Sequence, residues 1–231
     1  MDGRSTRWAE HNDAQRERIV AAAIALYDEG SINASLQEIG ARAGLSRSVL
    51  YRQFEDRRDL QLAVERHVLD DLMGRLTDSL VLTGTIRQVL RRVASTYIDW
   101  AAEHPRLHQL ADLDAAVDGP LSQAIDRIAG QIAGTLVQGF RLGGAEVSEA
   151  DVAAADPLAH GLVGAVFATV RRWLQLGGKV PDAEHLTDLV VESAWAVIDA
   201  RLRAYGQALD PDAPIGALLP PGQPTLSDPR R

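Results

Sequence analysis

The most informative absences in this sequence are those of cysteine and of long apolar runs. The chain of 231 residues has no cysteine, and Lys179 is the one lysine among its 24 basic residues. Without cysteine it cannot form disulfides, use a thiol nucleophile or bind zinc through thiolates. The N-terminal segment has no apolar core, and no stretch of about 18 apolar residues occurs, so neither a signal peptide nor a membrane span is expected. We therefore expect a soluble cytoplasmic protein without membrane contacts.

Positive charge is also scarce. The formal net charge is −8, yet residues 1–66 contain ten Arg and eleven Asp or Glu, which leaves −1 there and about −7 in the remainder. A protein that coats nucleic acid non-specifically should be strongly basic, so the composition excludes that class. The N-terminal part is the less acidic region of the chain.

Residues 35–60, SLQEIGARAGLSRSVLYRQFEDRRDL, contain two short helical patterns joined by a turn. Ser35 and Glu38 have the spacing of a capping box at the start of the first helix. Gly44 is suited to the left-handed conformation that ends it, and Ser46 can cap the second helix. A second helix that projects from such a turn fits the major groove of DNA.

Proline positions divide most of the remaining chain into helices. Six of the ten prolines lie in residues 210–231 and predict a mobile tail. The other four are expected at helix starts, where the missing N–H costs nothing: Pro105, Pro120, Pro157 and Pro181. With the apolar stripe of residues 15–29, the predicted helices outside the turn motif are 56–81, 85–104, 106–117, 121–142, 157–177 and 182–208. No strand-like alternation competes, so an all-α fold is predicted.

The segment IGARAGLSRSVLYRQFEDRRDL resembles the helix-turn-helix of the tetracycline-repressor (TetR) family of bacterial transcription regulators. The close matches are Ile39, Ala43, Gly44, Ser46, Leu50, Tyr51, Phe54 and Leu60. Gly40 departs from the pattern because the family usually has Ala there, and glycine costs about 1 kcal/mol in helix propensity. The motif covers roughly the first quarter of the chain, and the rest fits the family in architecture.

The resemblance implies a three-helix DNA-binding domain followed by a six-helix ligand-binding and dimerisation domain. The predicted divisions are a flexible arm (1–14), the DNA-binding domain (15–60), the ligand-binding and dimerisation domain (61–209) and the Pro-rich tail (210–231).

The resemblance also implies a set of DNA contacts. Ser35 would bind a phosphate through its hydroxyl and backbone N–H. Gln37 and Arg47 would contact base edges, and Arg57 stands where the family usually has a phosphate-binding Lys. The full predicted set is Ser35, Gln37, Ser46, Arg47, Ser48, Tyr51, Gln53 and Arg57.

Two later helices are predicted to form a homodimer interface. Small residues in 157–177 would let another backbone approach closely, and an apolar stripe in 182–208 would complete a four-helix bundle about a two-fold axis. Packing within one subunit is the alternative. The predicted interface residues are Gly161, Gly164, Ala165, Ala168, Leu186, Leu189, Val190, Ser193, Ala194 and Val197.

The intervening helices are expected to enclose an apolar ligand pocket with a few polar groups. Its predicted lining is Tyr97, Trp100, His108, Leu110, Phe140 and Phe167, although side chains of this kind are more often ordinary core than ligand contacts. His104, His108 and Asp112 recur every four residues, but Pro105 interrupts the helix after the first of them. No metal site and no cofactor are therefore predicted.

These features predict a homodimeric transcriptional regulator, a repressor by the family's majority habit. It would bind a near-palindromic operator in double-stranded DNA and be released by a small, mainly apolar effector. It is not expected to be an enzyme. An all-helical enzyme or a helical interaction module is the alternative, although the sequence lacks Glu-x-x-His pairs, a Gly-rich phosphate loop and a Ser nucleophile elbow.

Overall fold

The computed structural model describes residues 3–113, 119–142 and 144–218. Over these ranges the protein is helical, with one isolated β-bridge between Thr85 and Pro214 and no strand, which confirms the all-α prediction. The helices are α1 (Gly3–Asp28), α2 (Leu36–Ala43), α3 (Arg47–Gln53), α4 (Arg57–Ser79), α5 (Ile86–Glu103), α6 (Pro105–Leu113), α7 (Pro120–Leu142), α8 (Glu149–Gln175), α9 (Ala183–Ala204) and α10 (Ile215–Leu218).

The chain divides into two compact units. Unit 1 comprises Met1–Asp71 and His104–Ser122, and unit 2 comprises Leu72–Glu103 and Gln123–Arg231. Helix α6, which the sequence predicted in the second domain, packs against α1 in unit 1. At that contact His104 Nδ1 lies 3.1 Å from Asp28 Oδ2. The compact unit that contains the helix-turn-helix is therefore larger than the predicted 15–60.

Unit 1 has a core of large side chains. The apolar stripe of α1 faces α2, α3 and the first turns of α4, and its members are buried because each short helix offers one apolar face to the others. The fully or almost fully buried residues include Ile19, Ala23, Tyr27, Ile39, Leu50, Phe54, Leu60 and Val64. This core fixes the turn motif on the surface of unit 1.

Local capping signals set the ends of the short helices. The Ser35 side chain accepts from the Glu38 N–H while Glu38 accepts from the Ser35 N–H, which confirms the capping box. Gly44 ends α2 in the left-handed conformation with φ 66°, also as predicted. Ser46 precedes α3 but makes no side-chain cap bond. The Asp59 N–H donates to Asp56 Oδ1 at 2.8 Å and so caps the start of α4.

Gly40 permits a close approach of α2 and α3. A Cβ at this buried position would lie 2.5 Å from Leu50 Cδ1, well inside van der Waals contact. The unfavourable helix propensity of glycine is therefore offset by the packing of the second helix against the first.

Two predicted helix starts are wrong. Helix α1 begins at Gly3, so most of the predicted flexible arm is helical. Helix α8 begins at Glu149 rather than at Pro157, which lies inside it. A capping box formed by Ser148 and Asp151 starts α8 upstream, and the missing N–H of Pro157 removes only one intrahelical bond. Pro105 and Pro120 do begin helices, as predicted.

In unit 2, α5 packs against α8 and α9. Arg91 of α5 forms ion pairs with Asp188 and, at 3.3 Å, with Glu184 of α9. The buried side chains between α7 and α8 are small, namely Ala129, Ala133 and Ala159. The half-buried Ile132 and Val163 pack against these alanines.

The first part of the predicted mobile tail is instead packed on the start of α5. The Arg87 N–H donates to the Pro211 carbonyl at 3.0 Å, and the Ile215 N–H donates to the Gly84 carbonyl at 2.8 Å. Arg87 also pairs with Asp212 at 2.8 Å. The tail prediction is therefore wrong for 210–218, because a distant segment supplies hydrogen-bond partners that sequence pattern does not reveal. Residues 219–231 lie outside the described part of the chain.

Candidate nucleic-acid interface

A concave surface lies between α2 and α3 in unit 1. It contains Ser35, Gln37, Arg47, Tyr51 and Arg57, all of them predicted DNA contacts with exposed side chains. The complete lining is Asn33, Ser35, Leu36, Gln37, Gly40, Ala41, Leu45, Arg47, Leu50, Tyr51 and Arg57. The fold thus places on one surface residues that are up to 24 positions apart, as Asn33 and Arg57 are.

Ser35 is already bonded within the protein. Its backbone N–H and its hydroxyl each donate to Glu38 Oε2 at 2.7 Å. These bonds hold the pKa of the Glu38 carboxyl below its usual range, the backbone bond contributing most. Both donors predicted to bind phosphate therefore face a carboxylate, and a phosphate contact at Ser35 requires them to leave Glu38.

Arg47 and Tyr51 form a stacked pair on the exposed face of α3. The Arg47 guanidinium carbon lies 5.3 Å from the centre of the Tyr51 ring, within the range of a cation–π contact. Tyr51 is 49% exposed although it is a large aromatic residue. Beside them the hydroxyls of Ser46 and Ser48 are 3.0 Å apart. A face of this kind offers planar donors and hydroxyls to a groove edge.

Gln53 does not lie on this face, which corrects its predicted role. Its side chain is 6% exposed and donates to Asn12 Oδ1 of α1. The Gln53 carbonyl accepts from Arg16 Nη1 at 2.7 Å. Gln53 thus joins the end of α3 to α1, and its spacing from Arg47 misled the prediction because α1 covers that side of the helix.

Arg57 is held at the edge of the concave surface by neutral groups. Its Nη2 donates to the Ile32 carbonyl at 3.0 Å and to Asn33 Oδ1 at 3.2 Å. Neither acceptor bears a charge, so the guanidinium keeps its positive charge for an anion. This position fits the predicted phosphate contact.

Two arginines of α1 donate hydrogen bonds to the C-terminal ends of α2 and α3, a role that sequence analysis missed. Arg18 Nη2 donates to the Ala43 carbonyl at the end of α2 at 2.7 Å. Arg16 bonds the end of α3 through Gln53, and its guanidinium lies 4.2 Å from the Phe54 ring centre. Cations at helix C-termini satisfy open carbonyls and complement the dipole. The partners are 25 and 37 residues apart, so no local pattern could have identified them.

The predicted ligand-pocket residues fall in both units. Tyr97, Trp100, Phe140 and Phe167 belong to unit 2, whereas His108 and Leu110 belong to unit 1. Trp100 and His108 are buried, and the Phe140 ring lies 5.5 Å from that of Tyr205. Burial raises the pKa of the Tyr97 hydroxyl. The Leu110 side chain lies outside the described part of the structure, and the pocket stays a prediction.

Within the described residues no group of three or more side chains could hold a metal ion. His104 precedes α6, which begins at Pro105, and its Nδ1 lies 3.1 Å from Asp28 Oδ2. The Asp112 side chain is outside the described residues.

The predicted dimer residues divide by exposure. Leu186, Val190 and Ala194 are buried inside unit 2 and pack within the subunit. Gly164 and Val197 are half-buried. The exposed members are Gly161, Ala165, Ala168, Leu189 and Ser193.

Helix α8 has an unusual composition for an exposed helix. It is the one described helix long and apolar enough to cross a bilayer, and only 6% of its most apolar segment is buried. The helix is apolar on average and not throughout, since Asp156 and His160 interrupt it, so it contains no run of about 18 apolar residues. A single helix of this kind is weak evidence for a membrane span, because a helix covered by protein passes the same test. An exposed apolar surface of this kind usually marks a site of contact with another molecule.

A capped helix-turn-helix with exposed polar side chains on its second helix defines a DNA-binding protein of the helix-turn-helix class. Residues 19–64 match the family described as bacterial regulatory proteins, tetR family. This match spans the helix-turn-helix and the helices that support it, so the N-terminal part of the chain resembles the DNA-binding domain of transcriptional regulators.

Known proteins of this kind resemble the chain over most of its length. The HTH-type transcriptional activator FasR of Mycolicibacterium smegmatis is 26% identical over 186 residues, which are 80% of this chain and 82% of FasR. A TetR-family regulator from Streptomyces coelicolor superposes with a TM-score of 0.64 at 23% identity, covering 84% of this chain and 86% of its own. FadR from Bacillus subtilis, solved in complex with stearoyl-CoA, superposes with a TM-score of 0.59 at 20% identity, covering 76% and 95%.

Proposed function

We propose that the protein is a cytoplasmic, homodimeric repressor that binds a near-palindromic operator and is released by a small, mainly apolar effector. The observation that carries this proposal is the exposed face of α3, where Arg47, Ser48 and Tyr51 project from a helix whose C-terminal end is bonded to α1. Recognition by a rigid element is more precise than recognition by a mobile one.

Sequence recognition would depend on few contacts. Arg47 can donate two bonds to guanine, and Gln37 can pair with adenine. Arg57 would bind a phosphate and fix the register without reading sequence. The acidic chain, with a net charge of −8, disfavours non-specific binding, so placed contacts have to supply the affinity.

The apolar surface of α8 supports the dimer. Gly161, Ala165 and Ala168 are exposed and lie on one helical face, where a second copy of α8 could approach closely. A two-fold dimer would present two α3 helices to successive major grooves, about 34–36 Å apart or somewhat more. The molecular mass measured by light scattering tests the proposed dimer. Ala165→Glu should give monomers. Gln138→Glu, the same change in charge at an exposed position of α7, should leave the dimer intact.

The effector would act on the conformation of the dimer. A ligand that binds the DNA-incompetent conformer 100-fold more tightly shifts the equilibrium by about 2.7 kcal/mol. Because FadR of Bacillus subtilis was solved with stearoyl-CoA, a long-chain acyl-CoA is the first effector to test. The buried Trp100 and the half-buried Phe140 and Phe167 of unit 2 suit an acyl chain.

Footprinting on DNA upstream of the protein's own gene tests operator binding and release together. We expect protection of a near-palindrome that stearoyl-CoA abolishes and that coenzyme A alone leaves intact. A transcription assay on the same DNA then shows whether binding represses or activates transcription. Reduced transcript supports repression, whereas increased transcript would assign the activator role named for FasR. Absence of any protected sequence on this DNA and on a random library would contradict the proposal.

A further inference from the structure

We propose that Tyr51 is a positioning residue, whose ring holds the Arg47 guanidinium in the orientation from which Arg47 reads a base. This inference rests on the proposed function of α3 and adds a determinant of its specificity. The role implied by family resemblance, a contact of Tyr51 itself with the groove or a phosphate, is separate from it.

The geometry of α3 brings the two side chains together. Arg47 is the first residue of α3 and Tyr51 follows four residues later, so both lie on one face of the helix. The guanidinium carbon is 5.3 Å from the ring centre, and both residues line the concave surface between α2 and α3. An exposed ring at 49% accessibility is available to stack without loss of core packing.

Arg47 stands in the first turn of α3, where an aromatic ring can offset an unfavourable charge interaction. The N-terminal end of a helix has a partial positive charge, which repels a guanidinium in the first turn. The face of an aromatic ring is electron-rich and attracts the same group. The ring therefore draws the side chain along the helix surface instead of letting it extend away from the positive end.

Neighbouring polar groups are engaged elsewhere. Arg52 Nη2 donates to Gln15 Oε1 at 3.1 Å. The Ser46 and Ser48 hydroxyls bond to each other. Among the described residues, the Tyr51 ring is thus the group that the Arg47 guanidinium contacts.

A held guanidinium should discriminate bases better than a mobile one. Bidentate recognition of guanine needs the planar fork in one orientation, and a long side chain loses rotamer entropy when it is fixed. The ring removes part of that cost before DNA binds. Its loss should weaken the preference at the one base position that Arg47 reads.

Selection from a random duplex library by the full-length protein tests this. Arg47→Ala should reduce the preference at one position of each half-site by roughly 5- to 150-fold, the value of one bidentate pair. Tyr51→Leu should reduce it roughly 2- to 5-fold at that same position, as expected for an exposed cation–π contact. Tyr51→Phe should retain the preference because it keeps the ring. The double variant Arg47→Ala/Tyr51→Leu should lose no more preference there than Arg47→Ala.

The outcomes separate the inference from the function on which it rests. If Tyr51→Leu lowers affinity equally for all sequences and leaves base preference intact, Tyr51 is only a backbone contact and the proposal is overturned. Tyr51→Met, a second ring-less variant at this exposed site, must give the same result as Tyr51→Leu. If Arg47→Ala changes no preference, the inference fails while operator binding stands. If the wild-type protein enriches no sequence, the proposed function and the inference that rests on it are both wrong.

Discussion

In unit 1 large side chains fill the core and arginines bond to the ends of the short helices, whereas in unit 2 the buried cluster that joins α7 and α8 consists of alanines and a long apolar helix is exposed. Unit 1 buries Tyr27, Leu50 and Phe54 and presents a polar surface. Unit 2 buries Ala129 and Ala133 in its α7–α8 cluster and leaves much of α8 uncovered. Unit 1 thus presents a polar surface over a filled core, whereas in unit 2 the proposed second subunit would cover the exposed apolar face of α8.

The strongest test of this contrast removes a large side chain from unit 1. Leu50→Ala should destabilise unit 1 by about 2–5 kcal/mol, because a 2% exposed leucine leaves a cavity between α2 and α3. Chemical denaturation and DNA binding should both report the loss. Leu80→Ala, at a 38% exposed leucine, is the control and should change stability little. Equal effects of the two variants would show that the core of unit 1 is loosely packed.

The complementary test adds volume to unit 2. Ala129→Leu should destabilise the α7–α8 packing by about 1–3 kcal/mol, because three added carbon atoms at a fully buried alanine would overpack the cluster. Hydrogen exchange should show the effect in α7 and α8 and leave α1 to α3 protected. The same change at exposed Ala102 of α5 should be neutral. A stabilised Ala129→Leu variant would mean that this cluster contains a void.

A smaller effect is expected from the arginine supports. Arg18→Ala removes the donor to the Ala43 carbonyl and should cost about 1 kcal/mol, with reduced operator affinity because α2 and its turn lose a fixed end. Arg66→Ala, on the exposed face of α4, provides the control. If both substitutions have the same effect on binding, the bond to Ala43 does not position the motif.

The smallest predicted effect concerns pH and Glu38. The pKa of this carboxyl is lowered in the folded protein by the bonds from Ser35. A lowered folded pKa gives stability that is complete above the unfolded value of about 4.3 and is lost as pH falls through the folded value. Thermal unfolding of wild type and Glu38→Gln should therefore differ most at pH 6 and converge toward pH 3. If the difference in melting temperature between the two proteins grew as the pH fell, the bonds between Ser35 and Glu38 would not stabilise the fold.

Local signals in unit 1 were sufficient to predict the start and the end of α2. Ser35, Glu38 and Gly44 act within a few residues of one another, so their spacing specifies the ends of α2 before any tertiary contact forms. The exposed positions of Gln37, Arg47 and Tyr51 follow from the same helical period.

Contacts between distant segments could not be predicted in this way. Gln53 has the spacing of a surface residue, yet α1 covers it, and Arg87 binds Asp212 across 125 positions. Pro157 appeared to start a helix, but the cap formed by Ser148 and Asp151, upstream of it, determines where α8 begins. Each failure involves a tertiary or competing local interaction that outweighs the propensity of a single residue.

Fluorescence anisotropy of the full-length protein on DNA from upstream of its own gene tests the central claim, that α3 of unit 1 reads sequence, most directly. Wild type and Arg47→Ala would each be titrated on this DNA and on a scrambled duplex, over a series of salt concentrations. The account predicts tight binding of wild type to the upstream DNA, weak binding to the scrambled duplex, and a smaller difference between the two duplexes for Arg47→Ala. Equal binding of wild type to both duplexes, repeated on sequences selected from a random library, would contradict it.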